Sequence, residues 1–181
     1  MALLDQLRRH LPADADESAD LARILAFVER HDRPFDRRIA AGHLTGSALV
    51  VSNTGGAVLL LHHRKLERWL QPGGHADPDE GAGEVVALRE AREETGIRDL
   101  ALHDRAPRPL DVDIHHIPAR PGEPAHEHLD LRYLVVAPPD AVVAPAAGES
   151  ERVRWFGWPE LDALDLDRGL IRALGKARGY F

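Results

Sequence analysis

The feature that most constrains this chain is a glycine-rich loop followed directly by a carboxylate-rich segment with high helix propensity. Residues 73–97 read GGHADPDEGAGEVVALREAREETGI. The stretch Glu84–Thr95 contains neither glycine nor proline, and Gly96 stands where glycine commonly ends a helix. The segment therefore predicts a loop over 72–83 and a helix over Glu84–Thr95.

The predicted helix carries three carboxylates on one side. At about 100° per residue, Glu90, Glu93 and Glu94 share an arc of roughly 100°. We expect the opposite side to be buried, and it holds Val85, Leu88, Ala91 and Thr95. Like charges this close favour a bound cation, and all-oxygen ligands suit Mg²⁺ or Mn²⁺. For a glutamate-rich helix alone, a solvated acidic face is the competing interpretation.

The loop and the helix together resemble the Nudix box, whose pattern is G-x5-E-x7-R-E-U-x-E-E-x-G-U, with U an aliphatic residue. Gly74 and Glu80 match the opening of the pattern, and the close is matched by Arg89, Glu90, Ala91, Glu93, Glu94, Gly96 and Ile97. Eight residues separate Glu80 from Arg89, one more than in the pattern. We expect the glycine-rich turn 81–83 to hold the extra residue. The spacing among the three glutamates is unaffected.

The resemblance implies a hydrolase that cleaves the pyrophosphate of a nucleoside diphosphate linked to another moiety, with Mg²⁺ or Mn²⁺ as cofactor. It implies metal ligands at Glu90, Glu93, Glu94 and the backbone carbonyl of Gly74 or its neighbour Gly73. It also implies that Arg89 holds the box carboxylates, with Glu80 as a partner. A late-loop glutamate serves catalysis in some members of the family, and the candidates here are Glu149 and Glu151. The alternative is a Nudix-fold nucleotide-binding or regulatory module without activity, although no box glutamate is lost.

The rest of the chain predicts a mixed α/β domain. Short apolar runs predict strands at 47–52, 57–62, 69–70, 110–117, 129–136 and 153–156. A closing helix is expected over 170–176, and two amphipathic helices precede residue 35, the second capped by Asp16 or Ser18. We therefore expect a Nudix-type α/β/α sandwich with a mixed sheet over 43–181 and a helical extension over 1–42.

Histidines form a second set of candidates. His126 and His128 alternate with Asp130 and Arg132 along a predicted strand, so the four side chains share a face. That face would suit substrate phosphate or sugar, and a solvent-facing role is equally compatible with the sequence. A His-x-His pair with aspartate also suits zinc, which is the less favoured interpretation because the carboxylates already account for a metal. The remaining candidate substrate contacts are His75, inside the box loop, and Arg64, after the second strand.

Charge and composition exclude several classes of function. The chain has 30 acidic and 23 basic residues, and its net charge of −7 argues against broad nucleic-acid binding. Residues 74–94 hold seven acids and two arginines, so this segment carries −5 of that charge. There is no cysteine, which excludes thiol chemistry and disulfides. No long apolar run or signal peptide is evident, so we expect a cytoplasmic protein without membrane contact. The expected partner is a small-molecule nucleoside diphosphate derivative, and the sequence leaves a homodimer open.

Overall fold

The computed structural model describes residues 2–64, 66–139, 141–145 and 152–181. Its helices are α1 (Leu3–Arg8), α2 (Ala15–Arg30), α3 (Gly83–Thr95), α4 (Trp158–Leu161) and α5 (Arg168–Arg178). Its strands are β1 (Gly42–Ser52), β2 (Ala57–His63), β3 (Arg68–Leu70), β4 (Gly73–His75), β5 (Ala101–Leu102), β6 (Asp111–Ile117), β7 (His126–Ala137) and β8 (Val153–Gly157). Within these ranges, no helix has the length and apolar character needed to cross a membrane.

A long parallel strand pair forms the centre of the sheet. β1 runs beside β7 from the pair Gly42–Glu127 to the pair Ser52–Ala137. All other pairings are antiparallel: β1 also pairs with β2 and β4, β7 with β5 and β6, and β2 with β3 and β8. The sheet is therefore mixed, as the sequence predicts.

Helices cover both faces of this sheet. On one face, α2 and α3 bury apolar residues of β1 and β7 such as Leu44 and Leu131. On the other face, α5 packs through Leu170 and Leu174 against residues that include Leu134. The two apolar layers confirm the predicted sandwich of helices around a mixed sheet.

A glycine in β1 sets the position of α3. A Cβ on Gly46 would lie 2.6 Å from the carbonyl oxygen of Gly83 and 2.9 Å from the backbone nitrogen of Ala87. The helix backbone therefore rests directly on the strand. Because of this close approach, Val86 and Ala87 are buried and Val85 is 49% exposed. The predicted burial of Val85 is wrong, since helical periodicity alone does not show which side approaches the sheet.

The strand predictions missed two elements and began two others, β1 and β7, too late in the chain. The loop expected over 72–83 contains β4. The strand was not predicted because its glycines show no apolar alternation, and it forms because these glycines pair with Ser47 and Gly46 of β1. β1 itself begins at Gly42, earlier than predicted from its apolar run. The two-residue strand β5 was also not predicted. The predicted end of α3 is confirmed, because Gly96 adopts φ 73°.

The N-terminal helices pack on the sheet through a buried carboxylate. The N-cap of α2 is Asp14 rather than Asp16 or Ser18. Glu17 is fully buried, and it accepts hydrogen bonds from Lys176 in α5 and from the backbone nitrogen of Ala13. Burial raises the pKa of Glu17, but hydrogen bonds from His10 and Lys176 outweigh that effect and hold the pKa well below its usual range. An ionised glutamate thus joins α2 to α5.

Gly46→Ala should push α3 away from β1, because the new methyl group would overlap backbone atoms. We expect the free energy of unfolding to fall by about 1–3 kcal/mol. Gly81→Ala is the matched control, since a Cβ there meets nothing within 4 Å, and its stability should stay within about 0.5 kcal/mol of the parent. Urea unfolding followed by circular dichroism measures both. Equal stability of the two variants would contradict the close packing at Gly46.

Glu17→Gln should destabilise the fold strongly, because it removes one of the two fully buried carboxylates, Glu17 and Asp111, that contact Lys176 and Arg172. We expect a loss of about 3–5 kcal/mol in the free energy of unfolding. Glu29→Gln removes the partner of Arg8 in an exposed ion pair and should cost at most about 1 kcal/mol. Chemical unfolding of both variants under the same buffer checks the contrast. A loss for Glu17→Gln no larger than for Glu29→Gln would show that the buried charge is dispensable.

Candidate functional site

The glutamates of α3 lie against the glycine pair of β4. The backbone nitrogen of Gly73 donates to Glu94 Oε2 at 2.9 Å. A Cβ on Gly74 would lie 2.6 Å from the carboxyl carbon of Glu90, and one on Gly73 would lie 2.2 Å from Ser47 Oγ. Two adjacent residues without side chains therefore let the strand fit between β1 and the carboxylates.

Arg89 is the centre of the hydrogen bonds around these carboxylates. Its Nε and Nη2 donate to the two oxygens of Glu80, each at 3.0 Å. Nη1 donates to Glu90 Oε1 at 3.1 Å and to Glu93 Oε2 at 2.9 Å. Nη2 also donates to the backbone oxygen of His75 at 2.6 Å. The pairing of Arg89 with Glu80 that the resemblance implied is thus present despite the extra residue.

The guanidinium also sets the protonation of its neighbours. Burial raises the pKa of Glu80, but the hydrogen bonds from Arg89 outweigh this and leave the pKa below its usual value. The hydrogen bond to Glu80 in turn raises the pKa of Arg89, to which the charges of Glu90 and Glu93 add. At neutral pH this pairing holds one positive charge and one negative charge at the start of the site.

The donor set suits a hard divalent ion. Glu90, Glu93 and Glu94 offer carboxylate oxygens from one helix, and the glycine backbone lies against two of them. Glu90 and Glu94 are partly buried, whereas Glu93 is exposed to solvent. Oxygen ligands from one side, with solvent on the other, fit Mg²⁺ or Mn²⁺, which keep several waters and bind phosphate oxygens.

Four histidines gather on the opposite face of the sheet. Ring nitrogens of His43, His75 and His128 lie within 4.8 Å of one another. The Nε2 atoms of His75 and His128 are 3.0 Å apart, and His126 Nε2 is 3.2 Å from His128 Nε2. Mainly through burial, the pKa of His43 falls to about 4, that of His75 to about 4 and that of His128 to about 3. These three rings are therefore neutral near pH 7.

The polar face predicted for β7 exists but is not exposed to solvent. Asp130 and Arg132 are 2% and 0% exposed. Asp130 Oδ1 accepts hydrogen bonds from Thr45 Oγ1 and Ser47 Oγ, both at 2.8 Å. Arg132 pairs with three aspartates: Asp111, Asp113 and Asp130. The solvent-facing interpretation is wrong, and Asp130 is engaged by strand neighbours rather than grouped with His126 and His128.

The remaining predicted site residues are Arg64, Glu149 and Glu151. Arg64 lies exposed in the turn after β2. Glu149 and Glu151 lie outside the described residues. His43 was missed by sequence reasoning because the predicted strand began after it. The signal that could have found it is the alternation of polar residues at His43, Thr45 and Ser47, which is the period of one strand face.

Comparisons with known proteins identify the family. A model of the NUDIX domain matches residues 42–174. No curated protein matches the chain significantly. A solved NUDIX hydrolase from Clostridium perfringens is 25% identical, with a TM-score of 0.59, covering 77% of this chain and 98% of its own.

Two further structures share the fold at lower identity. An Ap4A hydrolase binary complex from C. elegans is 18% identical, with a TM-score of 0.60, covering 76% of this chain and 96% of its own. The NUDIX domain of Shewanella oneidensis NrtR, complexed with ADP ribose, is 16% identical, with a TM-score of 0.58, covering 86% of this chain and 96% of its own. Since the family model spans most of the chain and the fold agrees, the chain belongs to the Nudix hydrolase family.

Proposed function

We propose that this protein hydrolyses the pyrophosphate linkage of a nucleoside diphosphate joined to another moiety, in a reaction that requires Mg²⁺ or Mn²⁺. The observation that carries the proposal is the contact of the α3 carboxylates with Gly73 and Gly74, held by Arg89. Family membership supports hydrolysis. The Ap4A and ADP ribose named for two structural neighbours are both nucleotides with linked phosphates, and they guide the substrate class.

The oxygen ligands of the proposed ion are Glu90, Glu93, Glu94 and the backbone carbonyl of Gly74. Bound divalent ions neutralise phosphate oxygens and make water a better nucleophile. Glu94 is oriented for this task by the Gly73 backbone N–H, and Glu90 lies directly over Gly74. The strand and the helix therefore position the ligands before substrate arrives.

Arg89 acts as a positioning residue. Its guanidinium spans Glu80 on the loop side and Glu90 and Glu93 on the helix side, so it fixes the loop relative to the helix. It also reduces repulsion among the carboxylates. Phosphoryl transfer depends chiefly on positioning and charge neutralisation, which is what this arrangement supplies.

In the proposed reaction, a water oxygen bonds to one phosphorus of the diphosphate, and the bond from that phosphorus to the bridging oxygen breaks. A carboxylate accepts the proton of the water, and the bridging oxygen leaves with the second phosphate. The candidates for this base are the box glutamates Glu90, Glu93 and Glu94 and the later glutamates Glu149 and Glu151. Arg64, exposed in the turn after β2, is a proposed contact of the remaining substrate.

A substrate panel tests the proposed activity directly. Nucleotide sugars, ADP-ribose, dinucleoside polyphosphates and oxidised nucleotides would each be incubated with Mg²⁺ or Mn²⁺, and the products separated by chromatography. We expect two phosphate-containing products from at least one class, and none after chelation. Binding of these compounds without any product would instead favour the regulatory module.

Glu94→Gln should lower metal-dependent kcat by about 100-fold or more, because an amide oxygen is a weaker ligand than a carboxylate. Glu84→Gln is the matched control on the same helix, where the amide can still accept from Tyr133. Its kcat should stay close to that of the parent. Circular dichroism confirms that both variants fold. Unchanged turnover in Glu94→Gln would reject the site.

Arg89→Lys should raise the Mn²⁺ concentration needed for half-maximal activity by about 10–100-fold, since lysine cannot span Glu80 and the helix carboxylates together. Arg92→Lys is the control, because Arg92 lies on the same helix and its side chain donates to the backbone oxygens of Arg98 and Leu100 rather than to the box carboxylates. A Mn²⁺ titration of activity measures both. If the two variants respond alike, Arg89 does not position the ligands.

A further inference from the structure

We propose that His43, His75 and His128 form a binding site for a transition-metal ion such as Zn²⁺, distinct from the carboxylate site on the other face of the sheet. Their ring nitrogens lie within 4.8 Å of one another. The three residues come from β1, β4 and β7, so the ion would join three strands. This inference does not depend on the proposed hydrolase activity.

The spacing of the ring nitrogens fits tetrahedral coordination. Zinc binds imidazole nitrogen at about 2.0–2.1 Å, so two ligands of a tetrahedral ion stand about 3.3 Å apart. The Nε2 atoms of His75 and His128 are 3.0 Å apart, and those of His126 and His128 are 3.2 Å apart. One pair of the proposed ligands, His75 and His128, thus already stands close to ligand spacing, and a ring nitrogen of His43 lies within 4.8 Å of both.

His43 provides an independent sign that a partner belongs here. Its side chain is buried, at 2% exposure, and neither ring nitrogen has a hydrogen-bond partner within the described residues. Its ring centroid lies 5.0 Å from that of His75 and 4.9 Å from that of His128. A buried polar atom without a partner is costly, and coordination of an ion by a lone pair would satisfy it.

His126 supplies a fourth nitrogen beside the three ligands. Its Nδ1 lies 3.0 Å from the backbone oxygen of Pro124, which can only accept, so Nδ1 carries the proton. In the neutral ring, Nε2 then holds a lone pair that faces His128. A carbonyl that fixes the outer nitrogen of a histidine is a common arrangement around protein-bound metals.

The ligand type separates this site from the carboxylate site. Neutral imidazoles suit Zn²⁺ and related transition metals, whereas carboxylate and carbonyl oxygens suit Mg²⁺ and Mn²⁺. Successive residues of a strand face opposite sides of the sheet. In β4, Gly74 faces Glu90, so the side chain of the next residue, His75, points to the opposite face. An ion held by histidines there would tie the short strand β4 to β1 and β7.

The test measures metal binding by tag-free full-length protein after treatment with a chelator. Calorimetric titration with Zn²⁺, and visible ligand-field bands on addition of Co²⁺, report the ion without any assay of activity. We expect one tight equivalent of Zn²⁺ and a rise in Tm on binding. The absence of a tight equivalent would overturn the proposal.

The variants identify the site. His75→Gln and His128→Gln, both at partly buried positions, should each weaken Zn²⁺ binding by about 100-fold or more and remove the rise in Tm. His116→Gln is the matched control, because His116 is exposed on the neighbouring strand β6, and it should bind as the parent does. Glu94→Gln should also keep the tight equivalent. Loss of that equivalent in Glu94→Gln, or full affinity in His75→Gln and His128→Gln, would refute the assignment.

Discussion

The parallel pairing of β1 with β7 is the constraint on which the rest of the molecule depends. Its register places His43 beside His128 and Thr45 beside Asp130. One strand face thereby becomes polar although it is buried, and its charges are balanced inside the sheet rather than by water. The other face of β1 receives α3 at Gly46, where the absence of a side chain lets the helix touch the strand. Both candidate sites follow from this one pairing.

Charge balance explains why so acidic a segment remains ordered. Residues 74–94 carry a net charge of −5, and five of the carboxylates lie on α3 or directly before it: Glu80, Glu84, Glu90, Glu93 and Glu94. Arg89 donates hydrogen bonds to three of them, Glu80, Glu90 and Glu93, and to the backbone oxygen of His75. Its planar fork spans several oxygens in fixed geometry, which a lysine would not do. The same contacts that order the loop hold the carboxylates of α3 against β4, so the stability of the loop and the proposed chemistry depend on one arrangement.

Much of the fold was predictable because it depends on local patterns. The predicted α3 differs from the observed helix by one residue, and the strands with apolar runs appear where expected. β4 was not predictable in this way, because Gly73 and Gly74 become a strand only by pairing with Ser47 and Gly46. The exposure of Val85 has a similar cause. Helical periodicity identifies which residues share a side of the helix, but it does not show which side packs against the sheet.

The sequence by itself determined the carboxylate arc of α3, the glycine pair before it and the match to the family, because these depend on spacing within about 25 residues of chain. Only the tertiary structure decided which histidines meet. The sequence grouped His126 and His128 with Asp130. Strand register instead brings the two histidines next to His43 and His75, and Asp130 accepts hydrogen bonds from the hydroxyl groups of β1. Residues distant in the chain become neighbours through pairing register, and a one-residue shift in register would turn each side chain to the other face.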